Sequence, residues 1–345
     1  LNSTGVVTNK LGTLIVDDSG NTNSMTKLVI KGDAALTISA ALQFAPASTP
    51  TIDASAATGA LTLDVDTDLV STITTGSGAD SLDFGNSLAS TDIVDSGAGI
   101  DTVIVDSLAN AASVTLNTTY SLTNVEKVSI EGATGAASTG VDLSVDATQV
   151  GLTDLILVES QAEATGTGTE AGDFTVTNLA AGVGVTLVSN KVDATNAAQF
   201  SKIDVVSLAL ADATGTNDNI TVTLQGTSGS TAIENSIMDL SVLNVETLSI
   251  VSSHALTTAL TATDDNTVDD ISSDTTLTSI VLTGSDPLNI TLGGEMTNLA
   301  TVDGSAATDD ITIDTSGLVS GTTYTGGSGD DLFTVGARLG ETDSF

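Results

Sequence analysis

The stretch "GGSGDDLFT" at residues 326–334 decides the fold class of this chain. It fits, at every specified position, the nine-residue pattern G-G-x-G-x-D-x-U-x, in which U is apolar and a glycine-rich turn leads into a short strand. Residues 75–83, "TGSGADSLD", and 96–104, "SGAGIDTVI", fit the same pattern with a hydroxyl residue in place of the first glycine. Units of one turn and one strand stack as successive rungs. The sequence therefore predicts an all-β, elongated β-solenoid or β-roll.

The residue types within each turn indicate a calcium site. Glycine reaches left-handed backbone conformations, so that successive carbonyl oxygens can point into the turn, and Ca²⁺ takes six to eight oxygen ligands. One aspartate in each turn would offset the charge of the ion. The predicted metal-binding residues are Gly76, Gly78, Asp80, Gly97, Gly99, Asp101, Gly327, Gly329 and Asp331. For a single imperfect match, an ordinary glycine-rich hairpin turn with a solvated aspartate explains the same letters.

Asp80 and Asp101 are predicted to frame one ion together. They stand 21 residues apart, against about 18 for two units of the pattern, so the rung between them would carry a small insertion. Adjacent aspartates at 17–18, 264–265, 269–270 and 309–310 are weaker candidates, either as further sites or as solvated turns.

The rest of the sequence has the texture of short strands between turns. Alternating segments such as "ALTLDVD" from Ala60 and "DITIDTS" from Asp310 are bounded by Gly, Asn, Asp and Ser, which is typical of an all-β protein. Aromatic residues make up 2% of the chain and tryptophan is absent, so the core is predicted to consist of Val, Ile, Leu and Ala. Only residues 194–210 and 231–240 are candidates for a short helix. Tandem β-sandwich modules are the alternative architecture, since they share these strands and turns.

Internal repeats organise the chain. The segment "VDDSGNTNSMTKLVIKGDAALTIS" from Val16 matches "VDDISSDTTLTSIVLTGSDPLNIT" 252 residues later, and the segments that begin at Thr51 and Thr75 recur at offsets of 250 and 251. A weaker echo joins "LTNVEKVSI" from Leu122 to "VLNVETLSI" from Val242, an offset of 120. Three segments in the same order at nearly the same offset predict a structural repeat of about 250 residues.

Three regions follow from these offsets. Residues 1–105 are predicted to be the C-terminal part of one repeat, ending in the glycine–aspartate turns. Residues 106–267 are predicted to be the N-terminal part of the next repeat, with two related β sub-modules. Residues 268–345 are predicted to be a truncated second copy of the segment 16–90. We expect the chain to be part of a longer protein.

The composition restricts the partners of the chain. It has 44 acidic and 7 basic residues and a formal net charge of −37, which argues against nucleic acid and anionic lipid. Of the acids, 35 are Asp, the shorter carboxylate that suits turns and calcium loops, although a salt-adapted acidic surface is a plainer explanation. The chain has no cysteine, so disulfides and thiolate chemistry are excluded. No run of 18 apolar residues predicts a transmembrane segment.

Enzyme activity is not expected. His254 is the only histidine, and no G-x-S-x-G motif accompanies it. Two Tyr and six Phe offer few aromatic platforms for a sugar, and paired carboxylates carry little weight in a chain so rich in aspartate.

The order of three motifs resembles a known family. "TSIVLTG…LNIT", then "TIDASAATG…LTLD", then "TGSGADSLDF" is similar to the S-layer proteins of Gram-negative bacteria such as Caulobacter, which carry calcium-binding repeats of the RTX type. The "NVE" strands are similar to "GVETVNI" segments of the same family. The resemblance implies secretion by type I machinery, an extracellular location at the cell surface, and homo-oligomeric assembly into a calcium-dependent lattice on lipopolysaccharide. The chain shows no recognisable anchoring domain, so contact with lipopolysaccharide would involve a region outside it.

A calcium-stiffened repeat region of a giant RTX adhesin, or of another extracellular filament, is the alternative function. Both interpretations use calcium to relieve repulsion between aspartates and to fix the turns. A lattice subunit presents several distinct interfaces, whereas a stalk contacts mainly its neighbours along the chain. The long repeat favours the lattice.

Overall fold

A computed structural model describes most of the chain as two compact units. The described residues are 1–14, 25–45, 48–65, 69, 71–108, 112–116, 120–132, 142–149, 151–159, 173–189, 202–212, 214–216, 218–226, 236–254, 266–294, 296–318 and 321–335. The first unit consists of Leu1–Leu108, Val114–Glu131 and Thr148–Leu155, and the second of Ala109–Ser113, Gly132–Ala147 and Ile156–Phe345.

The elements with described bounds are β-strands throughout. In chain order they are β1 Asn9–Leu11, β2 Lys27–Gly32, β3 Leu36–Ile38, β4 Thr51–Ala57, β5 Leu61–Asp64, β6 Thr72–Thr74, β7 Ser81–Asp83, β8 Ile93–Asp95, β9 Thr102–Leu108, β10 Ala112–Thr115, β11 Ser121–Thr123, β12 Lys127–Gly132, β13 Leu143–Asp146, β14 Asp154–Glu159, β15 Phe174–Leu179, β16 Gly184–Ser189, β17 Lys202–Leu210, β18 Asn219–Gly226, β19 Ser236–Leu243, β20 Thr247–His254, β21 Asn266–Ser273, β22 Ser279–Gly284, β23 Leu288–Leu292, β24 Thr301–Ala307, β25 Ile311–Asp314, β26 Thr323–Thr325 and β27 Leu332–Thr334.

In the first unit the chain alternates between two sheets. One has the order β1-β3-β5-β7-β9-β12 and the other the order β2-β4-β6-β8-β11. From β1 to β9 in the first sheet, and throughout the second, each strand pairs in parallel with the strand of the next rung. Two strands joined by a turn therefore complete one rung, and successive rungs stack as in a β-solenoid. The predicted all-β solenoid is confirmed.

The second unit repeats this arrangement. Strands β16-β18-β20-β22-β24-β26 form one sheet and β13-β15-β17-β19-β21-β23-β25-β27 the other. All neighbouring strands in both sheets pair in parallel. The alternative of tandem β-sandwiches is wrong, because sandwich sheets are antiparallel.

The core of each unit is aliphatic. In β23, Leu288, Ile290 and Leu292 are buried while Asn289 and Thr291 are half-buried, because successive side chains of a strand point to opposite faces of the sheet. Each buried Val, Leu or Ile contributes roughly 1.5–3 kcal/mol relative to an exposed one. The same inward row repeated on every rung fixes the register, since a slip of one residue would turn the apolar row outward.

The sequence repeat reappears in the strands. Strands β2 to β7 and β22 to β27 correspond one to one, with starts shifted by 250 to 252 residues. The pairing of β2 with β4 is irregular between Val29 and Lys31, and the pairing of β22 with β24 is irregular between Val281 and Thr283. The two similar segments therefore form corresponding strands, with an irregularity in pairing at the same place. Residues 16–24, which open the first copy, lie outside the described residues.

The two segments named as candidates for a short helix are strands where the structure describes them. Residues 202–210 form β17 and residues 236–240 belong to β19; the earlier parts of both segments lie outside the described residues. In β17, Ile203, Val206 and Leu208 are buried and pair with the neighbouring rungs. The rung-on-rung pairing decides the conformation of this segment, and the weak helical propensity of its letters does not.

Candidate metal centre

Two of the three predicted turns lie on adjacent rungs of the first unit. The turn at residues 75–80 precedes β7 and the turn at residues 96–101 precedes β9. Because Ser81 pairs with Thr102 and Leu82 with Val103, Asp80 and Asp101 occupy equivalent places one rung apart. Leu82 and Val103 are fully buried, as the apolar position of the pattern requires.

The carboxylates of these turns form a ladder along the stack. Asp80 Oδ1 accepts a hydrogen bond from the backbone N–H of Leu61 at 2.8 Å, and Asp101 Oδ1 accepts one from the N–H of Asp80 at 2.7 Å. On the following rung, Glu126 Oε2 accepts a hydrogen bond from the N–H of Asp101 at 2.9 Å. Each carboxylate thus uses one oxygen to hold the backbone of the rung before it.

The second oxygen of each aspartate is buried without a hydrogen-bond partner. Asp80 is 2% exposed and Asp101 1% exposed, and Oδ2 of both is fully covered and unpaired. The Ser96 hydroxyl, which opens the second turn, is also buried and unpaired. Three unsatisfied oxygens in one stack of two turns are unusual, since the large majority of buried side-chain polar atoms find a partner.

Burial changes the acidity of both aspartates. It raises the pKa of Asp80 above its ordinary value, while the nearby Thr75 side chain and the backbone N–H groups of Leu61 and Gly76 oppose the rise. Burial also raises the pKa of Asp101 to about 6, and the charges of Asp80 and Glu126 act in the same direction. Two like charges out of water are each costly to ionise.

The described cationic side chains do not offset this charge. The ion pairs among the described residues join Lys27 to Asp53 at 3.3 Å and Lys127 to Asp154 at 3.7 Å. Neither Asp80 nor Asp101 takes part in them. The negative charge of the ladder is therefore without a protein counter-charge in the described part of the chain.

The glycines of the two turns are required by the close approach of the rungs. A Cβ at Gly76 would lie 1.8 Å from the carbonyl oxygen of Ala57, and one at Gly97 would lie 2.1 Å from that of Gly76. A Cβ at Gly78 would lie 2.6 Å from Ala60 N, and one at Gly99 would lie 2.2 Å from Gly78 O. Left-handed φ values occur at Gly97 (78°) and Gly99 (151°), so the expectation of left-handed glycines holds for the second turn and is wrong for Gly76 and Gly78. Glycine is therefore needed at these positions mainly because the stacked rungs leave no space for a Cβ, and less because of the backbone φ.

Backbone carbonyls in and beside the turns already bond to the neighbouring rungs. Ala57 O accepts a hydrogen bond from Ser77 N at 3.1 Å, and Gly76 O accepts one from Ala98 N at 2.8 Å. A carbonyl oxygen has two lone pairs, so these bonds leave room for a further ligand interaction.

The third turn, at residues 326–331, belongs to the second unit and repeats the contact of the first. Asp331 Oδ1 accepts a hydrogen bond from Ile311 N at 3.1 Å, as Asp80 does from Leu61. A Cβ at Gly327 would lie 2.4 Å from Ala307 O, and one at Gly329 would lie 2.6 Å from the Asp309 carbonyl carbon. Asp331 itself is only half-buried, whereas Asp80 and Asp101 are almost fully buried.

Glu126 is the ladder member that the motif did not reveal. It follows Asn124, which has a left-handed φ of 55°, and the fully buried Val125. The echo of this segment behaves alike: Asn244 has a φ of 63°, and Glu246 Oε2 accepts a hydrogen bond from Asp218 N at 2.8 Å. The "NVE" letters shared at the offset of 120 were the available signal for this contact.

Two of the four weaker aspartate pairs, at 269–270 and 309–310, lie among the described residues. Asp269 and Asp270 lie in β21, where burial and the charge of Asp239 raise the pKa of Asp270. Asp310 Oδ1 accepts a hydrogen bond from Asp330 N at 2.6 Å. The pairs at 17–18 and 264–265 lie outside the described residues.

The donor set of the ladder fits a hard cation that takes oxygen ligands from both side chains and backbone. In the part of the chain that is described, no three Asp, Glu or His side chains converge as a metal-binding group, so carboxylates alone would not fill a coordination shell. Ca²⁺ accepts carbonyl, hydroxyl, carboxylate and water oxygens in flexible geometry. The unpaired Asp80 Oδ2 and Asp101 Oδ2 would supply the charge that such an ion needs.

Comparison with known proteins adds no relative. No protein-family model matches the chain, and no curated protein or solved structure matches it significantly. Over the described residues, no helix has the length and apolarity to cross a membrane.

Proposed function

We propose that this chain is a calcium-stabilised structural module of an extracellular surface layer, whose copies assemble into a lattice. One observation carries the proposal: two buried carboxylates, Asp80 and Asp101, lie one rung apart with an unpaired oxygen each and no described cationic partner. A buried charge without a counter-charge is strongly destabilising. A bound divalent cation at this point explains why the sequence keeps both carboxylates.

Each residue of the ladder would have a distinct role in binding the ion. Asp80 Oδ1 and Asp101 Oδ1 hold the backbone of the preceding rungs, which leaves Oδ2 of each for the cation. Glu126 fixes Asp101 from the next rung. When bound, calcium would supply positive charge between the turns and so lower the pKa of both aspartates. The glycines keep the turns in contact, so the ion would tie one rung to the next.

Binding of this kind couples folding to the calcium concentration. The net charge is −37, and repulsion among the acidic side chains opposes a compact state. Because ligands for a metal are seldom preformed in an unfolded chain, metal binding contributes folding free energy. In a calcium-poor cytoplasm the chain would stay loose enough for export, and outside the cell it would become rigid and assemble.

Electron microscopy of the purified protein tests the proposal. With millimolar calcium we expect ordered sheets, and with EDTA we expect them to dissolve. The double variant Asp80→Asn/Asp101→Asn should assemble poorly. The control Asp33→Asn/Asp212→Asn, which changes two exposed aspartates, should assemble as the parent does. Sheets that persist after exhaustive EDTA treatment would overturn the proposal.

A calcium-stiffened stalk of an adhesin or filament is the second candidate. It is favoured by the one-dimensional pairing, since within each unit every strand pairs with the neighbouring rungs of its own sheet. The same micrographs decide between the two functions: calcium-dependent isolated rods support the stalk, and two-dimensional order supports the lattice.

A further inference from the structure

The turns of the ladder depart from the nine-residue pattern at their first position. The pattern has glycine there, whereas this chain has Thr75 and Ser96. Both side chains are buried, with exposed fractions of 2% and 1%. A buried hydroxyl in place of hydrogen is costly unless it interacts, so the two residues require an explanation.

Thr75 has its interactions within the protein. Its hydroxyl donates a hydrogen bond to the Ser96 carbonyl oxygen at 2.7 Å. The Thr75 side chain also lies beside the Asp80 carboxyl. Thr75 therefore marks the place of a first-position side chain on its rung: next to the aspartate five residues later.

Ser96 occupies the same place one rung on. It follows Thr75 by 21 residues, as Asp101 follows Asp80, and the two rungs are paired in register. Its hydroxyl oxygen is nevertheless buried and without a partner, like Oδ2 of Asp80 and of Asp101. Hydroxyl oxygen is a neutral ligand of the hard kind that calcium accepts.

We infer that Ser96 Oγ is a ligand of the cation held by Asp80 and Asp101, and that the hydroxyl replaces the glycine of the pattern for this purpose. The inference rests on the proposed calcium site. It adds a side-chain ligand that the glycine–aspartate pattern does not contain, and it makes the first turn position a determinant of affinity.

The inference predicts opposite effects of Ser96→Ala on two measurements. Without calcium, the variant should unfold at a higher temperature than the parent, because it removes an unsatisfied buried hydroxyl. With calcium, its affinity should be lower by roughly tenfold, the usual effect of losing one contact to a charged group. Ser96→Gly, which restores the pattern, should also bind more weakly than the parent.

A matched control separates the site from general effects of a buried serine. Ser273 in the second unit is 7% exposed, and its hydroxyl is also unpaired. Ser273→Ala should raise the calcium-free unfolding temperature in the same way and leave calcium affinity unchanged.

Isothermal titration with calcium, together with thermal unfolding in EDTA, gives both readouts. The binding step to follow is the one that Asp101→Asn abolishes. If the parent binds calcium at that step and Ser96→Ala binds equally well, the role of Ser96 is overturned while the calcium site stands. If the parent shows no such step, the proposed function fails, and this inference fails with it. Weaker binding in both Ser96 variants, with Ser273→Ala unchanged, supports the inference.

Discussion

The substitution Asp101→Asn should stabilise this protein when calcium is removed. Burial and two neighbouring carboxylates raise the pKa of Asp101 from 3.8 to about 6. A shift of about two pKa units corresponds to about 3 kcal/mol of cost when the group is ionised. Asparagine carries no charge, and its Oδ1 can still accept the hydrogen bond from Asp80 N that the aspartate accepts at 2.7 Å. At pH 7.5 in EDTA, the variant should therefore be more stable than the parent by about 3 kcal/mol.

The pH dependence follows from the same shift. Between about pH 4 and pH 6, the folded parent binds a proton at Asp101 that the unfolded chain has released, so its stability falls as the pH rises through this window. Above about pH 6 the full cost is present. Burial raises the pKa of Asp80 as well, which acts in the same direction. The advantage of Asp101→Asn over the parent should thus shrink as the pH falls from 7 towards 4.

Thermal unfolding followed by circular dichroism between pH 4.5 and 7.5 measures this difference. About 3 kcal/mol would raise the unfolding temperature by several degrees or more. Asp33→Asn, at an exposed position, is the control and should change little. In saturating calcium the order should reverse, because the parent can bind the ion with both carboxylates. A calcium-free variant that is less stable than the parent at pH 7.5 would refute the reasoning.

Two further substitutions probe the stack. Gly97→Ala should destabilise the first unit by several kcal/mol with or without calcium, because the added Cβ would lie 2.1 Å from the Gly76 carbonyl oxygen and the φ of 78° is left-handed. The control is Gly12→Ala, which has open space around it and should change the unfolding temperature little. Glu126→Ala should cost about 1–3 kcal/mol in a chemical denaturation experiment, since the buried Asp101 N–H loses its acceptor, whereas Glu126→Gln keeps an oxygen there and should cost much less.

The solenoid could be predicted from the sequence because the signal for it is repeated along the chain. Short alternating strands between turns recur along the whole chain, three of the turns fit one pattern, and the apolar residues Leu82 and Val103 of that pattern are buried as expected. The helix expectation for residues 202–210 failed for the opposite reason. That stretch gives no local signal that parallel neighbours lie on both sides of β17, and those neighbours determine its conformation.

Only part of the carboxylate ladder could be predicted from the sequence. Asp80 and Asp101 belong to the motif, but Glu126 lies 25 residues beyond Asp101 in a segment that shows no glycine–aspartate pattern. Its contact depends on the number of residues that each turn and strand uses before the next rung begins. Loop lengths of this kind set the register between rungs, and they cannot be read from the letters of one rung.

The two halves of the glycine–aspartate pattern therefore carry different information. The glycines are explained without an ion, since any side chain at Gly76 or Gly97 would overlap the turn stacked against it. An ion-free stack would keep the glycines and would gain from replacing each buried aspartate by asparagine, which holds the same backbone N–H without a charge. The chain instead retains the charge at Asp80 and Asp101 and buries it almost completely. The proposed cation site therefore rests on the buried carboxylates and not on the glycine content, so the comparison of aspartate with asparagine at these positions is the most direct test of the site.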